Sequence, residues 1–540
     1  MHSLAHHHHD TSSAAVAAQA PRSLVDLLRE RAQQRAGHPA LMFLADGETE
    51  SARLDYHELD RRARAVAATL QRDGLVERPV LLMLPSGVHY VVAFLGCLYA
   101  GAVPVPGYPP GNSMHAQRMA HIAADCRAGA TIVAPGAGGL ESIGACRMLV
   151  IADDGVLHEG AHESAWVPVP LQPETLAYLQ YTSGSTSQPR GVMVTHGNLL
   201  AHAQVWAAEP GLGRDDVFVS WLPLFHDMGL ILGLLQMLGA GGTVVLMPPL
   251  AFLQRPLRWL AAISRYRGTA SYAPNFAYAL CAASNDEAAI SALDLSCWAV
   301  AGNGAEPVRA DTIAAFVRRF AAQGFRSQAM NPGYGLAEAT LTVSRQPRLQ
   351  AAPHIAFDAE ALSHGLLAGA LEGRRTRTLV ACGRDWPGVR ARVVDPVTRR
   401  LCSEGRVGEL WVDGPVVAAG YWQRDDATQE TFGARLADGE GPFLRTGDLG
   451  AWFDGQLFIT GRRKDLIVVR GQNHHPQDIE HTVQGAHPML EPGHGAAFSV
   501  EHEGEERLVV VQEVRRSARR RLDGPQVAQA IRAAVAEAHG

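Results

Sequence analysis

The sequence predicts a multidomain α/β protein, and three observations carry that reading. A chain of 540 residues exceeds one hydrophobic core, so about two to four domains are expected. Helix and strand patterns alternate to about residue 340, which implies α/β layers built on parallel sheets. From 389 to 422 the period changes to two in VRARVVDP and VGELWVDG, which predicts a smaller β subdomain, and a small α/β unit begins past 465.

Taken in order, MHSLAHHHHDTSS reads as a tag or disordered lead, and residues 1–20 are set aside from the fold. Ser23 is placed to cap a helix carrying Leu24, Leu27 and Leu28 on one face, with Gly37 past its end. Tyr56–Leu70 reads as a second helix, PVLLML (79–84) as a strand buried on both faces, Tyr90–Ala100 as a helix and AVPVP as the next strand. Met228 to Met247 is free of charge over twenty residues, yet its five glycines, GAGG at 239–242 among them, argue against a membrane span. It reads as a buried helix, a turn and the buried strand TVVLM. Segment 345–378 has weak periodicity and is expected to be a loose insertion or connector. RLVVVQEV (507–514) reads as a strand, and 525–540 as a helix with the apolar stripe Val527, Ala530, Ile531, Ala534, Val535 and Ala538.

Composition narrows the function classes. A net charge of −6 offers no electrostatic case for nucleic acid. Cysteines 97, 126, 146, 281, 297, 382 and 402 are scattered and lack CxxC spacing, which argues against a disulfide framework or structural zinc and for a reducing, cytoplasmic compartment. Lys464 is the only lysine among 48 basic residues.

Chemistry gathers in five places. YTSGSTSQPRG (181–191) is either a surface turn or a cradle whose backbone N–H groups and hydroxyls surround phosphate; it lacks the Gly-Lys-Ser/Thr of a Walker A loop. SWLPLFHDMG (220–229) puts His226 and Asp227 after a strand-like run. NPGYGLAEAT (331–340) puts Tyr334 and Glu338 on a turn leading into a helix. LRTGDLG (444–450) holds Asp448 on a turn, and LFITGRRKDLIVVRGQNHHPQDIE (457–480) carries Arg462, Lys464 and Asp465.

Together, in this order and across about residues 20–480, these motifs resemble the adenylate-forming superfamily of acyl-, aminoacyl- and luciferin-activating enzymes. The resemblance implies two stacked α/β subdomains and a β subdomain (21–462, the last part about 379–462), a hinge at 463–465 and a small α+β C-terminal domain at 466–540. It implies ATP and Mg²⁺. Thr182, Ser183, Gly184, Ser185, Thr186 and Arg190 would hold the β- and γ-phosphates, Arg190 standing where the family usually has lysine. Glu338 would bind Mg²⁺ and act in catalysis with His226 and Arg462. Gly304, Ala305, Glu306, Tyr334, Gly335 and Ile459 would surround adenine, with Asp448 and Arg462 on the ribose. His226, Asn275 and Phe276 would line the acyl site, and Lys464 would be the pivot of the C-terminal domain.

LQYTSGST, WLPLFHDMGLI, YGLAEATL and KDLIVVRGQNHHPQDIE are most similar to the fatty acyl-AMP ligase branch, and 345–378 sits where that branch carries an insertion that hinders C-terminal rotation. The implied reaction turns fatty acid and ATP into fatty acyl-AMP and pyrophosphate, for the phosphopantetheine arm of an acyl carrier protein, with no stable membrane insertion. The alternatives are an acyl-CoA synthetase and a non-catalytic nucleotide-binding scaffold. One departure stands out: the superfamily ends on a catalytic lysine, and no lysine follows Lys464, so the expectation is an incomplete C-terminal domain with weakened adenylation. RRSARRR (515–521) reads as a solvated loop or as a dock for an acidic carrier protein.

Overall fold

The computed structural model describes residues 21–539 apart from 137–145, 153, 159, 183–188, 208–211, 470–471 and 503–504. The 1–20 lead and the loop residues Ser183, Gly184, Ser185 and Thr186 lie outside the described residues.

Apolar runs without a polar face set the layering. Pro79–Met83 is buried at every position, and so are Val103–Pro106 and Ala130–Val133 beside it. They join Arg147–Val150 in a four-stranded sheet that is parallel throughout. A second, eight-stranded sheet runs, strand by strand, Thr342–Arg345, Met330–Gly335, Val300–Asn303, Ala270–Ala273, Val217–Ser220, Thr243–Leu246, Pro39–Leu44 and Glu50–Asp55. Its interior pairs are parallel, and the outermost pair at each edge is antiparallel. One apolar cluster links Val80 and Ile132 of the smaller sheet to Leu41, Phe218 and Val244 of the larger through the helix Val88–Ala100. The two stacked α/β units of the sequence reading are therefore present.

Local signals explain the helix ends. Ser23 accepts from the backbone N–H of Asp26, whose carboxylate accepts from Ser23 N–H, a reciprocal box that starts Leu24–Gln34. The Met228–Met247 stretch does fold as buried helix, turn and strand, but Met228–Gln236 is π-helical before an α-turn at Met237–Ala240. π-Helical geometry is rare and concentrates at functional sites.

Four corrections concern the site-bearing motifs. Tyr334 and Glu338 do not lead into an α-helix: Met330–Gly335 ends as a strand, Ala337–Ala339 is one 3₁₀ turn, and Thr342–Arg345 returns antiparallel. Gly335 is needed there, because a Cβ would collide with the carbonyl oxygen of Leu341 in the returning chain. Asp448 is not on a turn but inside the strand Leu444–Phe453. Segment 345–378 is not loose. It folds as His354–Asp358, Ala359–Ser363 and the start of Thr376–Val380, and its Phe357, Leu362 and Leu367 pack with Leu379 on Ala451 and Phe458 of the β subdomain. Its polar alternation and short elements hide this apolar face. Fourth, Asn275 and Phe276 do not line the cavity described below.

The β subdomain is the antiparallel sheet Arg390–Val394, Gly408–Asp413, Leu444–Phe453 and Gln456–Arg462. Beyond it, Leu490–His502 pairs with Glu505–Val514, and Val527, Ile531 and Val535 of the last helix, Gly524–His539, pack on Ile467, Ile479 and Val483. Arg516–Arg521 forms a 3₁₀ turn that buries only Ala518, so its arginines face outward.

Candidate active site

Parallel strands of the large sheet end at Ser220, Ala273 and Asn303, and a cavity of about 1740 Å³ lies beside these carboxyl ends. Ligands bind at such ends in open α/β sheets. Thr182, His226, Gly304, Ala305, Tyr334, Gly335, Glu338, Asp448, Arg462 and Lys464 all line it. These expected residues therefore border one cavity.

The hairpin Leu444–Phe453/Gln456–Arg462 sets Asp448 directly opposite Arg462. Arg462 Nε donates to Asp448 Oδ1 at 3.2 Å, and the Tyr334 hydroxyl donates to Oδ2 at 2.7 Å. Burial nevertheless pushes the Asp448 carboxyl above its usual range, against the opposing pull of Tyr334 and Arg462. Ala305, beside them, holds φ at +65°, a left-handed conformation that costs a non-glycine residue free energy and turns the backbone sharply at the cavity wall.

Glu338 is held from two sides. Its carbonyl accepts from Ala418 N–H at 2.9 Å, and its Oε1 accepts from the Tyr421 hydroxyl at 2.8 Å. Burial raises the Glu338 carboxyl, and the negative charges of Asp227 and Asp448 raise it further. The Arg190 guanidinium sits 5.3 Å over the Tyr421 ring. Arg190 is also the register partner of Thr182 across the hairpin that brackets the hydroxyl-rich loop. Arg190 itself is not part of the cavity wall.

His226 closes a turn pinned by Gln180, whose Nε2 donates to Phe225 O at 3.0 Å. His226 Nδ1 lies 2.7 Å from Asp227 Oδ1, and that carboxylate raises the imidazole above its ordinary value. The ring is half exposed at the cavity surface.

The remaining expected residues divide. Glu306 and Ile459 line an adjoining cavity of about 1180 Å³ that shares Ala305, Tyr334, Gly335, Asp448 and Arg462 with the first. Asn275 is buried behind the wall, where its Oδ1 accepts from Arg309 N–H at 3.1 Å. Phe276 is partly exposed and packs edge-on against Trp221 and Phe252. The apolar wall comes instead from Met228 and Leu232 of the π-helix, with Leu341. Sequence reasoning missed these residues, together with Tyr421 and Asn303. The charge-free run after His226 was a usable signal for the first two. Nothing local in AAGYWQ marks Tyr421, which acts on Glu338 across 83 positions.

The AMP-binding enzyme family matches residues 28–422, a span that contains the hydroxyl-rich loop, His226, Glu338 and Tyr421. The chain belongs to the AMP-binding enzyme family. Among curated relatives, this AMP-binding enzyme is 44% identical over 532 residues to the medium-chain-fatty-acid acyl-carrier-protein ligase JamA of Moorena producens (strain JHB), covering 96% of this chain and 89% of JamA. It is 36% identical over 515 residues to the long-chain-fatty-acid–AMP ligase FadD26 of Mycobacterium marinum (strain ATCC BAA-535 / M), covering 92% of this chain and 87% of FadD26. Its fold is similar to that of the L. pneumophila fatty acyl-adenylate ligase solved with acyl adenylate and pyrophosphate, with a TM-score of 0.79, 36% identity, and coverage of 96% of this chain and 91% of that one. Among the described residues, no helix is long and apolar enough to cross a membrane.

Proposed function

We propose that this AMP-binding enzyme activates a fatty acid with ATP and passes the acyl group to the phosphopantetheine thiol of an acyl carrier protein. A carboxylate oxygen of the acid attacks the α-phosphorus, the bond from that phosphorus to the bridging oxygen breaks, and pyrophosphate leaves with the electron pair. The carrying observation is the convergence of Thr182, Glu338, Asp448 and Arg462 on one cavity, in a chain so similar to JamA.

In this reading Asp448 takes the ribose hydroxyls, Tyr334 and the Gly304–Ala305 turn hold adenine, and Arg462 reaches ribose or phosphate. Thr182 and the loop after it hold the β- and γ-phosphates, with Arg190 behind them. Glu338 fits Mg²⁺: it lines the cavity, and Tyr421 fixes its carboxylate through Oε1. A hard cation held by one carboxylate and by substrate phosphates needs no further protein ligands, and it would neutralise charge on the leaving pyrophosphate. Met228, Leu232 and Leu341 would wall the acyl chain. Lys464 lines the same cavity from the 3₁₀ turn Arg463–Asp465, a short segment suited to absorb rotation between half-reactions.

His226 would donate to the incoming carboxylate. Its raised value means that the protonated, anion-attracting form is fully present below the ordinary imidazole value and is lost as pH rises through the raised one. The KM for the acid should therefore climb on the alkaline side, and His226→Gln should flatten that climb while leaving the KM for ATP in place. A KM–pH profile identical in the two proteins would remove His226 from acid binding.

The direct test is pyrophosphate release. A medium-chain fatty acid with Mg²⁺ and ATP should yield pyrophosphate and acyl-AMP, and chelating the metal should stop it. Transfer to a phosphopantetheinylated carrier protein should follow, with little thioester on free coenzyme A. Abundant acyl-CoA would make the protein a synthetase instead, and silence with every acid would leave the scaffold reading.

A further inference from the structure

Asn303 ends its strand at the cavity, is completely buried, and shares the wall with Leu341 and Thr342. Its amide has a defined orientation. Nδ2 donates to Asn275 Oδ1 at 3.4 Å, and that same oxygen accepts from Arg309 N–H at 3.1 Å, while Asn275 Nδ2 donates to Thr312 Oγ1 at 3.2 Å. Flipping the Asn303 amide would set two carbonyl oxygens face to face. Held this way, Asn303 presents Oδ1, which has no hydrogen-bond partner among the described residues. A second buried oxygen shares this condition. Ser344 is fully buried, lines the same cavity, and its Oγ is likewise unpartnered. Asn303 lies opposite Pro332, and Ser344 opposite Tyr334, two residues on in the intervening strand, so both oxygens stand on one face of the sheet.

Resting on the acid-activating function above, we propose that Asn303 is a specificity-determining residue and that the preferred acid carries a hydroxyl group on its chain. A buried carbonyl oxygen without a donor is costly, and a plain alkyl chain supplies none. A chain hydroxyl satisfies Oδ1 with its proton. Asn275, which the sequence placed on the acyl wall, is the positioning residue that aims the amide. Discrimination by a hydrogen-bonding pocket against the analogue that lacks the donor exceeds what one methylene gives. The exocyclic amine of adenine is the other donor within the same cavity, because Gly304 and Ala305 follow directly in the chain.

The experiment uses the full chain with Mg²⁺ and ATP, and measures pyrophosphate release for a medium-chain alkanoic acid and its monohydroxy isomers. At least one isomer should exceed the parent in kcat/KM by about tenfold. Asn303→Leu should erase that ratio, and Asn275→Ala should reduce it, with the KM for ATP unchanged in both and thermal melts checking that each is folded. A parent acid that outperforms every isomer overturns the proposal. So does an Asn303→Leu enzyme whose KM for ATP rises while acid discrimination stays intact, since the oxygen then serves adenine. Pyrophosphate release with flat discrimination sinks only this inference. No release with any acid removes the activity and this inference with it.

Discussion

Glu338→Gln should abolish most adenylation and yet leave the protein at least as stable as before. The catalytic side follows from the loss of the carboxylate that would hold Mg²⁺ beside the phosphates; removing a comparable electrostatic group lowers the rate by about 10²–10³. The stability side follows from burial. Glu338 is raised above the usual carboxylate range by desolvation first and by its acidic neighbours Asp227 and Asp448 next. A carboxyl whose folded value exceeds its unfolded value makes the ionised native state less stable at neutral pH, and that cost fades as pH falls through the raised value. Glutamine removes the charge and keeps an oxygen for the Tyr421 hydroxyl. The variant should therefore melt at or above the parent temperature at pH 8, with the gap closing as pH falls through the raised value. Pyrophosphate release and paired thermal melts check both halves. A variant that melts lower at pH 8, or that keeps its rate, would show that Glu338 is a structural carboxylate.

Only part of the site was legible in the sequence. Glu338, Asp448, Arg462 and His226 were legible through the order of the motifs that carry them, which resemble the adenylate-forming superfamily; singly, each residue also suits a turn, a packed imidazole or a solvated charge. Their supports carry no such signal. Tyr421 is an ordinary aromatic in a turn until the fold brings its hydroxyl to Glu338. Asp448 looked like a turn residue because Gly447 precedes it. Gly447 does take a left-handed φ of +73°, but inside a long strand whose pairing with Gln456–Arg462 only tertiary contact can reveal. Asn275 failed as a wall residue because adjacency to an apolar run says nothing about which side of a strand end a short side chain occupies. The alternating layers were legible because buried parallel strands need continuous apolar runs, as at Pro79–Met83. The 345–378 segment was not, because its apolar face is completed by Ala451 and Phe458, far along the chain.

The same segment supplies the second large effect: Arg375→Ala combined with Arg377→Ala should increase thioester formation on free coenzyme A. Arg377 Nη1 lies 2.9 Å from Asp478 Oδ2 of the C-terminal unit. Arg375 Nη1 donates to the carbonyls of Glu537 and Ala538 at 3.1 and 2.7 Å, where the last helix leaves its final carbonyls without intrahelical partners. Cations at a helix C-terminus also meet the negative end of its dipole. Arg309 adds a third tie from the large domain, its Nη2 donating to Gln477 O at 2.8 Å. These contacts fasten the C-terminal unit in one orientation, and rotation away from it must break them. The Arg377–Asp478 pair is largely buried, with both side chains 24% exposed, so it is weakened less by solvent than an open surface pair. Losing it together with the Arg375 cap should cost the fastened state about 2 kcal/mol, a shift of roughly 30-fold in the rotated population. On the proposed pivot at Lys464, with adenylation carried out in the fastened orientation, pyrophosphate release should hold within about twofold while acyl-CoA rises about tenfold or more, discounted for the remaining Arg309 tie. Single-turnover assays with and without coenzyme A separate the two steps. Unchanged acyl-CoA in the double variant would mean that coenzyme A is refused by the shape of its own path and not by the fastening of the C-terminal unit, and adding Arg309→Ala would then change nothing further.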